Sequence, residues 1–102
     1  MILTVLAEAE AELRSAFAYL NNQSPGLGGR FLDEVADAFQ AIRERPLSFA
    51  KLETLPADEP YRRAVLPTFR HAVVFEVLDA EIVVVAVSHT SREPNYWLKR
   101  LG

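Results

Sequence analysis

Six consecutive apolar residues, Ile82-Val83-Val84-Val85-Ala86-Val87, constrain this chain more than any other stretch. Branched side chains in so short a run favour extended backbone over helix. A strand that is apolar at both parities must be covered on both faces. A chain of 102 residues can build one modest core. The run therefore belongs in the interior of the sheet of a single domain spanning residues 1–102, within a strand predicted over Glu81–His89.

The flanking sequence supplies its neighbours. Asp79-Ala80 is a turn that leads back into a strand over Phe69–Leu78. Leu66-Pro67-Thr68-Phe69 is a second turn, with proline at its second position, preceded by a strand over Tyr61–Leu66. Ile2–Leu6 reads as a further strand, apolar on both faces, beside the central one. Between these β segments lie two helical patterns. Leu6, Ala9, Leu13, Ala16, Phe17 and Leu20 recur at three- and four-residue steps, predicting a helix over roughly Ala7–Asn21 with its acids near the N-terminus. Leu27, Phe31, Val35, Phe39 and Ile42 form the stripe of a second helix. Ser24-Pro25 is the expected N-cap and first position, and Pro46 closes the helix after Arg45. Gly26-Leu27-Gly28-Gly29-Arg30 lacks the lysine and hydroxyl of a phosphate loop and reads as close packing against the first helix. Pro46–Pro60 is a connector with an extended piece around Lys51–Leu55.

A two-residue loop at Asp79-Ala80 places Val77, Phe75, Val73 and His71 opposite Ile82, Val84, Ala86 and Ser88. That apolar face is assigned to the helices. The second face then holds Arg70 opposite His89, Ala72 opposite Val87, Val74 opposite Val85 and Glu76 opposite Val83. The Pro67-Thr68 turn adds Tyr61, Arg63 and Val65. The expected fold is α+β in two layers: an N-terminal strand, a helical hairpin on one face of a mostly antiparallel sheet, and a short C-terminal turn or helix. An uncovered apolar second face, centred on Val74, Val85 and Val87, would require a partner.

Charge excludes some functions. Residues 1–60 carry five Lys+Arg against ten Asp+Glu, and residues 61–102 carry six against four. The overall net charge of −3 argues against a bulk nucleic-acid coat, while leaving room for a local basic site in the second half. The chain has no cysteine, which removes disulfides, thiolate metal sites and cysteine nucleophiles. Two histidines without a carboxylate at ligand spacing predict no metal site, and no cofactor is expected. The short apolar start carries no basic lead and is too short for a signal or membrane segment, so the expectation is a cytoplasmic protein without membrane contact.

The order strand, helical hairpin and meander, together with Ser24-Pro25, Pro46, Arg63 and the closing His89-Thr90-Ser91-Arg92-Glu93-Pro94-Asn95-Tyr96-Trp97, resembles the ParE branch of the RelE/ParE toxin superfamily over essentially the whole chain. The resemblance implies the toxin of a type II toxin-antitoxin module, as in plasmid stabilisation systems, neutralised by a cognate antitoxin. It also implies action by binding and inhibiting DNA gyrase, without catalysis of its own. One alternative is a RelE-like, ribosome-dependent messenger-RNA endoribonuclease. Another is an inactive homologue that pairs only with an antitoxin or with itself, as a homodimer or a hetero-oligomer. The nuclease pattern places arginine where Ala72 stands, a further basic residue at Val65 and a tyrosine near Leu98, and this chain lacks all three.

Metal-free RNA cleavage needs a base, an acid and phosphate-holding cations. The candidates for those roles are His89, Arg70, Arg63, Arg92 and Tyr96. Against each stands a structural role: a hydrogen-bonding strand end for His89, a bond to Glu93 or a carbonyl for Arg92. The expected partner-binding set is Tyr61, Arg63, Val74, Val85, Val87, Arg92 and Trp97, with Trp97 also packing the C-terminal turn onto the sheet.

Overall fold

The computed structural model describes residues 1–101. The elements are β1 (Ile2–Val5), α1 (Ala7–Gln23), α2 (Leu27–Glu44), a short 3-10 turn (Pro46–Ser48), β2 (Tyr61–Val65), β3 (His71–Val77), β4 (Glu81–His89) and a C-terminal 3-10 segment (Tyr96–Leu101). They form one four-stranded mixed sheet in the order β1-β4-β3-β2. The run from Ile82 to Val87 lies in an interior strand, β4, which pairs in parallel with β1 and antiparallel with β3.

The helices take the side of the sheet that bears Phe75, Ile82 and Val84. Phe31, Val35 and Ile42 of α2 and Ala9 of α1 join Val73, Phe75, Ile82, Val84 and Val87 in the principal core. The stripe of α2 is therefore the one its three- and four-residue spacing predicts. β1 differs from expectation. It is an edge strand whose Leu3 and Val5 pack on the core, while Ile2 is 70 % exposed. The helices cover the face of Leu3 and Val5, and the cluster under Trp97 on the other face includes no residue of β1.

The start of α2 also differs. Ser24 closes α1, its N–H donating to the Leu20 carbonyl, and Gly26 is the residue that precedes α2, at φ +89°. The cap comes from the preceding helix. Asn21 Oδ1 accepts from Gly26 N at 3.2 Å and from Gly28 N at 3.0 Å. One side chain thus satisfies donors at the start of the second helix. Close packing holds at Gly28, where a Cβ would sit 2.7 Å from the Phe17 carbonyl oxygen.

The sheet register carries the main correction. Val77, Glu76 and Phe75 pair with Ile82, Val83 and Val84, as a two-residue loop requires. Val74 then pairs with Ala86, leaving Val85 as the extra residue of a β-bulge. Val85 and Ala86 consequently share the second face, and Val87 returns to the helix side. Beyond the bulge, His89 stands opposite His71 and not opposite Arg70. The β2–β3 turn is two residues longer than expected, with Leu66 N donating to the His71 carbonyl, so Arg63 pairs with Val74 and Tyr61 with Glu76. An even shift preserves the face of every β2 side chain.

The second face is not open. Trp97 lies over Tyr61, Val74, Val85 and Ala86, with Leu52, Leu55 and Tyr96 around them. The rings of Trp97 and Tyr61 are 5.0 Å apart. The connector contributes through a single bridge, Lys51 to Arg62, and through Leu52 N donating to the Tyr61 carbonyl. Its predicted extended piece is limited to that contact.

Candidate functional site

The polar chemistry converges where β4 runs out beyond β1. The pairing of β1 stops at Val84, and the last bond runs from Leu6 N to the Val84 carbonyl. The next backbone groups are taken by side chains from distant elements. Glu12 of α1 accepts from Val87 N at 3.0 Å, and Arg100 donates to the Val85 carbonyl at 3.0 Å. Arg100 also grips Glu12 in a two-pronged ion pair, at 2.9 and 3.1 Å. The Tyr96 hydroxyl donates to the same carboxylate, and the Arg92 guanidinium lies 3.9 Å from the centre of the Tyr96 ring.

Electrostatics follow this geometry. Burial by itself raises the Glu12 carboxyl, but bonds from Arg100, Tyr96 and Val87 and the charge of Arg100 outweigh it and hold the group below the ordinary carboxylate range. Burial and the bond to Glu12 push the Tyr96 phenol up. Glu12 is the hub of the cluster, and sequence reading passed over it as one of three acids in the first helix. The only signal was its spacing on α1, which does not single it out from Glu8 or Glu10.

Two concavities flank this hub. A groove of about 750 Å³ runs between α1 and the meander, lined by residues including Ala11, Ser15, Tyr19, Phe69, Arg70 and His71. A smaller cleft of about 160 Å³ on the second face is lined by Arg63, Val74, Thr90 and Trp97, among others. His89 and Arg92 form the ridge between them and line both. The expected grouping of Arg63, Arg70 and His89 on one face is therefore split: Arg63 borders the cleft, and Arg70 borders the groove. Among the predicted partner-binding residues, Arg63 and Arg92 are exposed. Tyr61, Val74, Val85, Val87 and Trp97 are buried within the chain itself, between 0 and 8 % exposed.

His89 is exposed, and its Nδ1 is engaged by Ser91, through the backbone N–H at 3.1 Å and the hydroxyl at 2.7 Å. Its ring meets that of His71 at 5.0 Å, edge to face. His71 in turn packs on Phe31, 4.9 Å away. Burial, followed by the nearness of His89, lowers the pKa of His71. The Nδ1 of His71 is buried without a hydrogen-bond partner among the described residues. No group of three or more His, Asp or Glu side chains among the described residues is placed to hold a metal ion. No helix among them is long and apolar enough to cross a membrane.

A helical hairpin on one face of a β1-β4-β3-β2 sheet, with a C-terminal turn stapled across the other, defines a small α+β toxin fold of the RelE/ParE kind. The family described as ParE toxin of type II toxin-antitoxin system, parDE, matches residues 3–94. The chain belongs to that family. Its fold is similar to a solved structure described as the chromosomal ParDE TA system from P. aeruginosa, with a TM-score of 0.73 at 14 % identity. That match covers 87 % of this chain and 95 % of the other. No curated protein matches the chain by sequence.

Proposed function

We propose that this ParE toxin acts by binding, that DNA gyrase is its target and that a cognate antitoxin neutralises it. The observation that supports binding over catalysis is the commitment of Tyr96 and Arg100 to the Glu12 carboxylate. A phenol bonded to a carboxylate and a guanidinium neutralised by one are poorly placed to donate a proton or to hold a phosphate. His89 has its Nδ1 engaged by Ser91, and Arg92 is stacked on Tyr96. Gyrase is the target that membership of the ParE family favours. The antitoxin contact belongs in this reading to the groove between α1 and the meander, because the second face is already filled by Trp97.

The test expresses each variant without antitoxin and assays gyrase supercoiling beside ribosome-dependent cleavage of messenger RNA. His89→Ala is expected to leave gyrase inhibition nearly unchanged. Arg92→Ala, at an exposed anchor over Tyr96, is expected to weaken it by roughly 2 kcal/mol of binding. Ser15→Arg, which fills the groove from an exposed position, is expected to reduce protection by the antitoxin. Gyrase left untouched, with cleavage that disappears in His89→Ala, would replace this reading with the nuclease one.

A further inference from the structure

Two arginines of the tail approach the Tyr96 ring, and they differ in what they leave free. Arg100 commits its donors to Glu12 and to the Val85 carbonyl. Arg92 is exposed and lies within ion-pair distance of no carboxylate among the described residues. Its guanidinium sits over the Tyr96 ring, 3.9 Å from the centre. The ring's quadrupole attracts a cation so placed, which restrains the guanidinium without committing its N–H donors to a carboxylate or carbonyl. We propose that Tyr96, held in place by Glu12, is the positioning residue that presents Arg92 to the toxin's target. The proposal rests on the reading of Arg92 as a target-binding anchor and names the residues that aim it.

Two turns in series bring these side chains together. Arg92 N donates to the His89 carbonyl at 3.0 Å, and Ser91 N donates to His89 Nδ1 at 3.1 Å, so residues 89–92 close on themselves. Past Pro94, Asn95 takes a left-handed conformation at φ +64°, which asparagine adopts more readily than most residues. Thr54 Oγ1 donates to Asn95 Oδ1 at 3.0 Å, and Asn95 Nδ2 donates to the Thr54 carbonyl at 3.4 Å, which ties this second turn to the connector. Tyr96 is thereby returned beneath Arg92.

The ring is then fixed at its far end. Its hydroxyl donates to Glu12, and Glu12 is itself held by Arg100 and by Val87 N. A continuous set of contacts therefore runs from β4 and α1, through Glu12 and the Tyr96 ring, to an exposed guanidinium. An arginine free in solvent gives up rotamer freedom when a partner grips it. One already held over a fixed ring has lost part of that freedom before the encounter. Tyr96 and Glu12 thus strengthen binding through Arg92 without a contact of their own to the target.

The test follows the Arg92 side-chain protons of the full chain by NMR and titrates inhibition of gyrase supercoiling for Tyr96→Leu, Arg92→Ala and the double variant. Ring current should place the Arg92 δ-methylene and Hε signals upfield of those of a free arginine, and Tyr96→Leu should return them. Tyr96→Leu should weaken inhibition roughly two- to fivefold, the range of an exposed cation–π contact, and weaken Arg92→Ala no further. A residue that only supports the fold would weaken both backgrounds alike. Where Tyr96→Leu fails to fold, Tyr96→Phe decides: it keeps the ring, loses the bond to Glu12, and should move the Arg92 signals partway and weaken inhibition only while Arg92 is present. Arg92 signals at the free position in the wild-type chain, or equal losses with and without Arg92, overturn the proposal. The NMR measurement needs no target: with gyrase untouched by the wild-type chain the gyrase reading falls, and the Arg92 signals alone decide whether Tyr96 holds Arg92.

Discussion

Glu12 does at one position what a fifth strand would do by pairing. Past Val84 the β4 backbone has no strand on the β1 side, and a buried carbonyl or N–H left unpaired costs about 1–3 kcal/mol. Glu12 and Arg100 fill both vacancies, at Val87 N and the Val85 carbonyl, while neutralising each other. Glu12→Gln keeps the shape but removes the charge that Arg100 and Tyr96 address. Urea denaturation should show a loss of roughly 1–3 kcal/mol, and pairing it with Arg100→Gln in a double-mutant cycle should show strong coupling. The pH dependence has a definite sign. Because the folded carboxyl lies below its unfolded value, the stability it contributes is present above the ordinary carboxylate range and is lost as pH falls through the lowered value. His71 acts at higher pH by the same logic. Its folded value lies below the ordinary one of about 6.5, so the unfolded chain binds the proton first. Stability contributed by neutral His71 is complete above about 6.5 and declines as pH falls toward the folded value. His71→Phe should flatten that part of a denaturation-midpoint profile, and an unchanged slope would remove His71 as its source.

At the scale of elements, the helical hairpin depends on a contact between backbones. Gly28 lets α2 approach the Phe17 carbonyl, and a methyl group there would lie 2.7 Å from that oxygen. Neither backbone can retreat without moving its helix, so Gly28→Ala should destabilise the fold by roughly 1–3 kcal/mol. Gly29 has open space around the same atom, and there Ala gains helix propensity of up to about 1 kcal/mol. Thermal melts of the two neighbouring variants should move in opposite directions. Both glycines are alike in a string of letters; only their direction relative to α1 separates them. The N-cap shows a related limit. Ser24 and Pro25 satisfy every local rule for a helix start, yet the donors of α2 are satisfied by Asn21 from the helix before, because the tight connection at Gly26 brings that side chain onto the new helix.

For the whole molecule, the C-terminal segment determines which surfaces remain available to partners. Trp97 converts the second face of the sheet from an interface into a second small core with Tyr61, Val74, Val85 and Ala86. Val85 is fully buried, so Val85→Lys should abolish the folded state. Burying an unpaired ammonium costs several kcal/mol, a large part of a small domain's stability. Circular dichroism and solubility of that variant provide the check, and a well-folded Val85→Lys would show that the tail does not close the face in solution. The strands, the hairpin, the interior place of Glu81–His89 and the helix side of Phe75 and Val84 were legible in the sequence. Periodicity, proline and turn chemistry are local, and one apolar stripe can meet only one core. The bulge was not legible, because Val84, Val85, Ala86 and Val87 are apolar at both parities, so a one-residue slip costs no burial and leaves no trace in the pattern. What the tertiary structure alone decided follows from that slip, which sets His89 opposite His71, from contacts between residues 75 to 88 positions apart, through which Glu12 holds Val87, Tyr96 and Arg100, and from the return of the tail that lays Trp97 over Val74 and Val85. Contacts over such separations are settled when the whole chain packs, and no local segment carries the information.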